Sequence, residues 1–268
     1  MRYKMTVAYD GTDFAGWQVQ PKQRTVQGDL EKALHQVFGR LVRVHPSGRT
    51  DAGVHALAQI AIFDAPERSL SKLQRSLNGL TADDIGVMTL TVVADDFEPR
   101  LWARRKHYRY RWQVGPVLCP LRRRQVRWLN HDFDVQASHQ ALQCLTGKHD
   151  FTSFRAVGCA STHAVRRVNE LAVTQHDDEV WLEVQGNGFL RHMVRIIAGC
   201  AEAVARGHRP VEWVEHVRDA RDRNAAALTL PAKGLSLQRT EYGDERPLWH
   251  QMPCRPGEPN RTLVAPDE

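Results

Sequence analysis

Between residues 2 and 93 the period of the apolar positions switches repeatedly, and that switching limits the folds open to the chain. Tyr3, Met5, Val7 and Tyr9 alternate with Arg2, Lys4, Thr6 and Ala8, which predicts a first strand. From Thr25 to Phe38, Val26, Leu30, Leu34, Val37 and Phe38 recur at helical spacing, and Gly39 ends the helix. Residues 41–44 are short and β-branched, hence strand-like, and Ile60 and Ile62 share one face of a strand over residues 57–63. Leu70, Leu73 and Leu77 line one side of a second helix over residues 71–78, with Gly79 after it. Residues 85–93 read as another strand. Strand, helix, strand pair, helix, strand is an α+β pattern.

The second half repeats this outline without obvious sequence repetition. Residues 108–114 alternate, with Tyr108, Tyr110, Trp112 and Val114 on one face and His107, Arg109, Arg111 and Gln113 on the other. Aromatics on one strand face are the ordinary makings of a core. Basic residues interleaved with aromatics also suit RNA, where bases stack on rings and phosphates meet arginines. Asp134 can cap a helix running through Leu145, with Gly147 as its stop. Residues 165–174 and 180–184 are strands joined by a turn through residues 176–179. Gly186, Asn187 and Gly188 open a helix from Phe189 to about Arg206; residues 211–220 form another, and Leu235 begins a last strand. The expected division is an N-terminal α+β lobe over residues 1–104, a C-terminal α+β lobe over 105–250, and a disordered Pro-rich tail over 251–268.

One stretch resists a purely structural account. Residues 47–56, Ser-Gly-Arg-Thr-Asp-Ala-Gly-Val-His-Ala, place Asp51 on a loop held between two strand segments. Gly48 and Gly53 let the loop bend sharply and let a ligand approach its backbone. The plainer explanation is a turn in which Asp51 caps its own backbone. Arg195 poses a similar question, because Leu190, Met193, Val194, Ile196, Ile197 and Ala198 surround it with apolar side chains. If buried it needs an anionic partner; otherwise it snorkels to solvent.

Arg100, Arg104, Arg105 and Lys106 form a basic run, either a solvated face or a contact for a polyanion. The formal charge of +6 and pI near 9.2 suit a polyanionic partner, and the excess of arginine over lysine favours planar phosphate contacts. The five cysteines form no C-x-x-C pair, which points to free thiols in a reducing compartment and no zinc site. No apolar run is long enough to span a bilayer and the N-terminus has no signal core, so a cytoplasmic protein is expected.

The segment from Gly48 to His55 resembles the active-site signature of tRNA pseudouridine synthases of the TruA type. Other segments are similar in the same order. They are Tyr9-Asp10-Gly11-Thr12 with Phe14 and Gly16-Trp17-Gln18, Arg24-Thr25-Val26-Gln27, Tyr108-Arg109-Tyr110, residues 150–154, His192-Met193-Val194-Arg195, and Gly234-Leu235. The similarity runs from about residue 3 to about residue 242 and departs at the tail and at Arg191, Ile196 and Ile197.

The resemblance implies a pseudouridine synthase fold, with two ferredoxin-like (RRM-like) lobes whose antiparallel sheets meet at a catalytic cleft. It implies an isomerase without metal or cofactor, converting uridine to pseudouridine in the tRNA anticodon arm at about positions 38–40. It also implies a homodimer whose tRNA spans both subunits. On this reading Asp51 is the nucleophile, and Tyr108 stacks on the target uracil. Arg195 pairs with Asp51, Arg49 holds the flipped nucleotide, and Leu235 is an apolar wall of the uracil pocket. Arg104, Arg105 and Lys106 are further candidates for RNA binding. Two alternatives stand beside it. A non-catalytic RNA-binding module would use the same arginines and Tyr108, but leaves a carboxylate in an anion-binding loop unexplained. A metal hydrolase would be built on Asp51, His55 and His107, without any H-E-x-x-H spacing.

Overall fold

The period changes of the first half appear as a run of strands and helices. These are β1 (Arg2–Tyr9), α1 (Val26–Phe38), β2 (His45–Pro46), β3 (His55–Asp64), α2 (Leu70–Leu80) and β4 (Ile85–Val93). The second half contributes β5 (Ala103–Val114), β6 (Arg127–Leu129), α3 (Val135–Leu142), β7 (Gly147–Asp150), β8 (Val165–His176) and β9 (Glu179–Gly186). It ends with α4 (Met193–Ala205), α5 (Trp213–Ala220) and β10 (Leu235–Tyr242). The structure, a computed structural model, describes residues 1–243; the tail expected over 251–268 lies outside the described residues.

Local chemistry explains most element ends. The Thr25 hydroxyl accepts a hydrogen bond from Gly28 N at 3.2 Å and starts α1, and Gly39, with φ of 68°, stops it. Asp134 caps α3 through Ala137 N. Tyr3, Met5 and Val7 are fully buried, and Tyr3 stacks on Phe63 of β3 at 5.0 Å. On β5 the Tyr108, Tyr110 and Trp112 side is core, and Trp112 Nε1 donates to Glu202 of α4. The opposite side of β5 carries Arg109 and Arg111, which hold Glu183 and Glu179 of β9 at 2.6 and 2.7 Å.

Among the described residues the strands form one ten-stranded sheet ordered β4-β1-β3-β10-β5-β9-β8-β7, with β2 beside β3 and β6 beside β5. A repeat lies within this order. In the second half β5, α3, β8, β9, α4 and β10 run strand–helix–strand–strand–helix–strand, and the strands lie fourth, first, third, second. In the first half β1, α1, β2, β3, α2 and β4 do the same, with β2 reduced to His45 and Pro46. The two ferredoxin-like patterns join through β10. It runs antiparallel to β5 and parallel to β3, the latter through Ser236↔His55 and Leu237↔Ala56. One edge of β3 is therefore shared: β2 takes Ala61 and Ile62, and β10 takes the first residues. The β2–β3 connection, which carries Asp51, leaves the sheet at this seam.

Two local expectations are corrected. Residues 41–44 are not a strand, although Val42 and Val44 are buried. The Val44 amide donates to the Glu31 carboxylate of α1 at 3.0 Å, so a helix side chain takes the place of a strand partner. The helix expected from Phe189 begins at Met193. Phe189 and Leu190 pack inward from a loop instead, and His192 turns into the left-handed region with φ of 61°.

Candidate active site

Residues 47–54 are tied to the protein on both sides of Asp51. Ser47 N donates to Ile60 O at 2.7 Å, and the Ser47 hydroxyl donates to Gln59 Oε1 at 2.8 Å. Gln59 Nε2 in turn donates to Gly48 O at 2.7 Å. Beyond Gly48, Trp17 N donates to Thr50 O, Gly53 N to Phe14 O and Val54 N to Asp51 O, all at 3.1–3.2 Å. The Thr50 and Tyr9 hydroxyls meet in the interior at 2.8 Å. Gly53 adopts φ of 77°, a conformation a side chain would strain. Gly48 serves differently from expectation. Its φ is not positive, and a Cβ there would come within 2.7 Å of Lys106 Nζ, so it makes room rather than a bend. That ammonium donates to Ser47 O at 2.6 Å. Burial, with Arg100 adding, pushes the Lys106 pKa down to about 8.

Asp51 projects from this scaffold half-buried. Its Oδ2 lies 3.8 Å from Arg195 Nη1 and 3.7 Å from His192 Nε2. Arg195 does not snorkel: its side chain is 14% exposed, and its Nε donates to Leu230 O at 2.7 Å. Arg195 meets Asp51 without a hydrogen bond, because Leu230 O holds the guanidinium by Nε and leaves Nη1 to face Asp51. Burial works against charge on Arg195, and Asp51 opposes that. Burial also lowers the His192 pKa against the pull of Asp51, with Arg195, Arg191 and Arg223 adding to the drop.

Tyr108 is 8% exposed and meets Phe189 edge-on at 5.1 Å. Burial, with Tyr9 and Asp51 adding, raises its phenol pKa well above the ordinary range, so the neutral hydroxyl is the form present. Leu235 is buried opposite Tyr110, directly after the segment that holds Arg195 through Leu230 and touches Gly53 through Ala232. Arg49 is exposed, with no hydrogen bond or ion pair among the described residues. The basic run divides. Arg104 and Arg105 are exposed, with Arg104 against Gly243, whereas Lys106 turns inward onto the Asp51 loop.

His55 and His107 are not brought to Asp51. His55 Nδ1 lies 3.1 Å from both Gly11 N and Asp10 Oδ1, and its Nε2 donates to Arg124 O at 2.8 Å. His107 faces Glu183 at 3.4 Å. No three His, Cys, Asp or Glu side chains converge as metal ligands among the described residues. His192 was missing from the candidate set, although it lies one helical turn before Arg195 in the sequence, a spacing that puts two side chains on one face. Lys106, a candidate RNA contact in the sequence, instead donates to Ser47 O, a contact that no sequence pattern marks.

A family profile described as "tRNA pseudouridine synthase" matches residues 5–100 and 141–243, which include Asp51, Arg49, Arg195, His192 and Leu235 but not Tyr108. The chain belongs to the tRNA pseudouridine synthase family. Among its relatives, the tRNA pseudouridine synthase A of Myxococcus xanthus is 43% identical over 248 residues, covering 92% of this chain and 94% of its own. That of Maridesulfovibrio salexigens is 44% identical, covering 91% of both chains. That of Latilactobacillus sakei is 42% identical, covering 90% of this chain and 98% of its own. No helix among the described residues is long and apolar enough to cross a membrane.

Proposed function

We propose that this protein isomerises uridine to pseudouridine in tRNA, with Asp51 as the reacting carboxylate. The observation that carries this reading is the state of Asp51. It is fixed by its backbone, it lies 3.8 Å from the Arg195 guanidinium and 3.7 Å from the His192 ring, and no hydrogen bond occupies its side chain among the described residues. Such a carboxylate keeps its lone pairs for a substrate. The reaction breaks the bond from uracil N1 to the sugar C1′, turns the base, forms the bond from C5 to C1′, releases the C5 proton to solvent, and leaves N1 protonated by a proton taken up from solvent. The buried Tyr108 ring offers a platform for the base, worth ~1–3 kcal/mol of stacking. The Arg49 guanidinium, exposed and without a partner among the described residues, offers a hold on a flipped nucleotide.

Tritium release from tRNA labelled at uridine C5, in the presence of chelator, tests the activity. Release is expected from the parent protein. Its absence would falsify the reading and leave a non-catalytic RNA binder. Tyr108→Phe keeps the ring and is expected to keep most of the activity; Tyr108→Leu loses ring and turnover together. A Phe variant as dead as Leu would move the role from the ring to the hydroxyl.

The finer target, about positions 38–40 of the anticodon arm, follows the family resemblance. Mapping pseudouridine in tRNA from a deletion strain tests it. A homodimer with tRNA across both subunits completes the proposal, and a monomeric mass in light scattering with tRNA bound would exclude it.

A further inference from the structure

Many arginines among the described residues already hold a carboxylate. Arg2, Arg24, Arg109, Arg111, Arg122 and Arg127 each hold a carboxylate at 2.5–2.9 Å. A second set of cations meets only uncharged groups. Arg155 Nη2 donates to Cys159 O at 3.1 Å and Ser161 O at 2.6 Å. Arg166 Nη2 donates to the Ser161 hydroxyl at 2.7 Å, and its Nη1 donates to Val165 O at 2.6 Å and His163 O at 3.2 Å. Lys106 meets Ser47 O, and Arg100 is exposed with no hydrogen bond. Among the described residues none of these four cations has a carboxylate partner.

They are also gathered together. Arg155 and Arg166 converge on one residue, Ser161, from two sides. Arg100 lies close enough to work against charge on both Arg166 and Lys106. The cluster borders the proposed uracil platform. The Arg166 stem passes beside Gly188, whose added Cβ would lie 3.9 Å from it, and the next residue, Phe189, packs on Tyr108. Lys106 stands across the ladder from Gly186 and holds the foot of the Asp51 loop. Ala156 N donates to Arg191 O, next to His192.

Like charges at close range are unfavourable unless an anion joins them. A guanidinium that has spent only some of its donors suits phosphate, which accepts from several N–H groups at once. Arg155 leaves Nε and Nη1 unused, and Arg166 leaves Nε. We propose that Arg155, Arg166, Arg100 and Lys106 form a receptor for a backbone phosphate of the RNA strand that carries the target uridine. The receptor rests on the reading of this protein as a tRNA pseudouridine synthase. It holds the strand beside the Tyr108 platform while the nucleotide turns towards Asp51.

The test measures tRNA affinity against salt, together with kcat and KM, for Arg100→Gln, Arg166→Gln and Arg166→Lys. Arg100 is exposed and makes no hydrogen bond or ion pair among the described residues, so its variant leaves the bracing of the loop by Arg155 and Arg166 in place. Each Gln variant is expected to weaken binding several-fold and to lower the magnitude of the log–log salt slope by about 1, with the loss in KM rather than kcat. Arg166→Lys keeps the charge and should keep most of the slope. An unchanged slope in Arg100→Gln and Arg166→Gln overturns the receptor. So does an Arg166→Lys variant that behaves like Arg166→Gln, because that pattern belongs to loop bracing. If the parent protein releases no tritium, the function itself has failed; if it does and the slopes stay unchanged, only the receptor has.

Discussion

The β2–β3 and β8–β9 connections occupy the same place in the two halves of the repeat and have opposite fates. The β8–β9 connection is only Asp177 and Asp178, with Asp177 at φ of 51°. The Asp178 carboxylate is used up: it accepts from both Arg122 amino groups at 2.5 and 2.8 Å and from Gln113 Nε2 at 3.0 Å. The β2–β3 connection runs through residues 47–54, and its carboxylate has no hydrogen bond among the described residues, 3.8 Å from the Arg195 guanidinium and 3.7 Å from the His192 ring. A tight turn has room only for its own satisfaction. A longer loop braced by its neighbours can hold a carboxylate in place without consuming it. The arginines divide likewise. Arg122 is spent on structure, and Arg195 is anchored by a carbonyl so that its free edge faces the site.

The largest effect expected from this contrast comes from exchanging the carboxylates for amides. Asp51→Asn should lower turnover on the order of 10³-fold or more, with tRNA affinity within a few-fold, because phosphate contacts carry affinity. Asp178→Asn should leave turnover at the parent level. Equal losses in single-turnover assays would erase the distinction between the two connections.

Next come the arginines. Arg195→Met should reduce turnover about 10²-fold by releasing the geometry around Asp51. Leaving Leu230 O without its donor should also cost ~1–3 kcal/mol in urea unfolding. Arg195→Lys should fall between, since one ammonium cannot reproduce a guanidinium that meets Leu230 O and faces Asp51 together. A lysine variant with full turnover would show that charge alone suffices.

Arg122→Met should leave turnover intact and cost about 1 kcal/mol at neutral pH. The bond from Arg122 holds the Asp178 pKa below its ordinary value. Burial tends to raise the Glu179 pKa, but hydrogen bonds from Arg111, Trp181 and Arg122 outweigh it and leave it lowered. Groups lowered on folding contribute stability above their unfolded pKa of about 4 and lose it as pH falls through the folded values. The variant should therefore lose less stability than the parent between pH 5 and 2 (approximately), as read by denaturant melts at each pH. Parallel curves would count against a structural role for this network.

The smallest effect concerns Lys106. Its ammonium gives up a proton as pH rises through about 8, so tRNA affinity should weaken modestly across that pH. Lys106→Arg should remove this step by keeping the charge, and fluorescence titrations on either side of pH 8 read it out directly. A step that survives the substitution belongs to another group.

The sequence by itself determined what is local. Period-two and period-3.6 patterns named the strands and helices, because burying one face of an element needs nothing beyond that element. A carboxylate between glycines and a guanidinium in an apolar run marked Asp51 and Arg195, because a stranded charge needs a partner wherever it lies. Tertiary structure decided what crosses the chain. β10 leaves the second half to close the edge of β3 beside the Asp51 loop, and no property of residues 235–242 announces that pairing. The start of α4 depended on Phe189 finding Tyr108, and the idle state of residues 41–44 as a strand depended on Glu31. The meaning of each arginine was set the same way. Arg109 and Arg111 look like RNA contacts in sequence and are paired by β9, while Arg155 and Arg166 look unremarkable and remain unneutralised. Coulomb attraction falls with distance in space, so which cations are free for a substrate follows from where the folded chain brings its carboxylates.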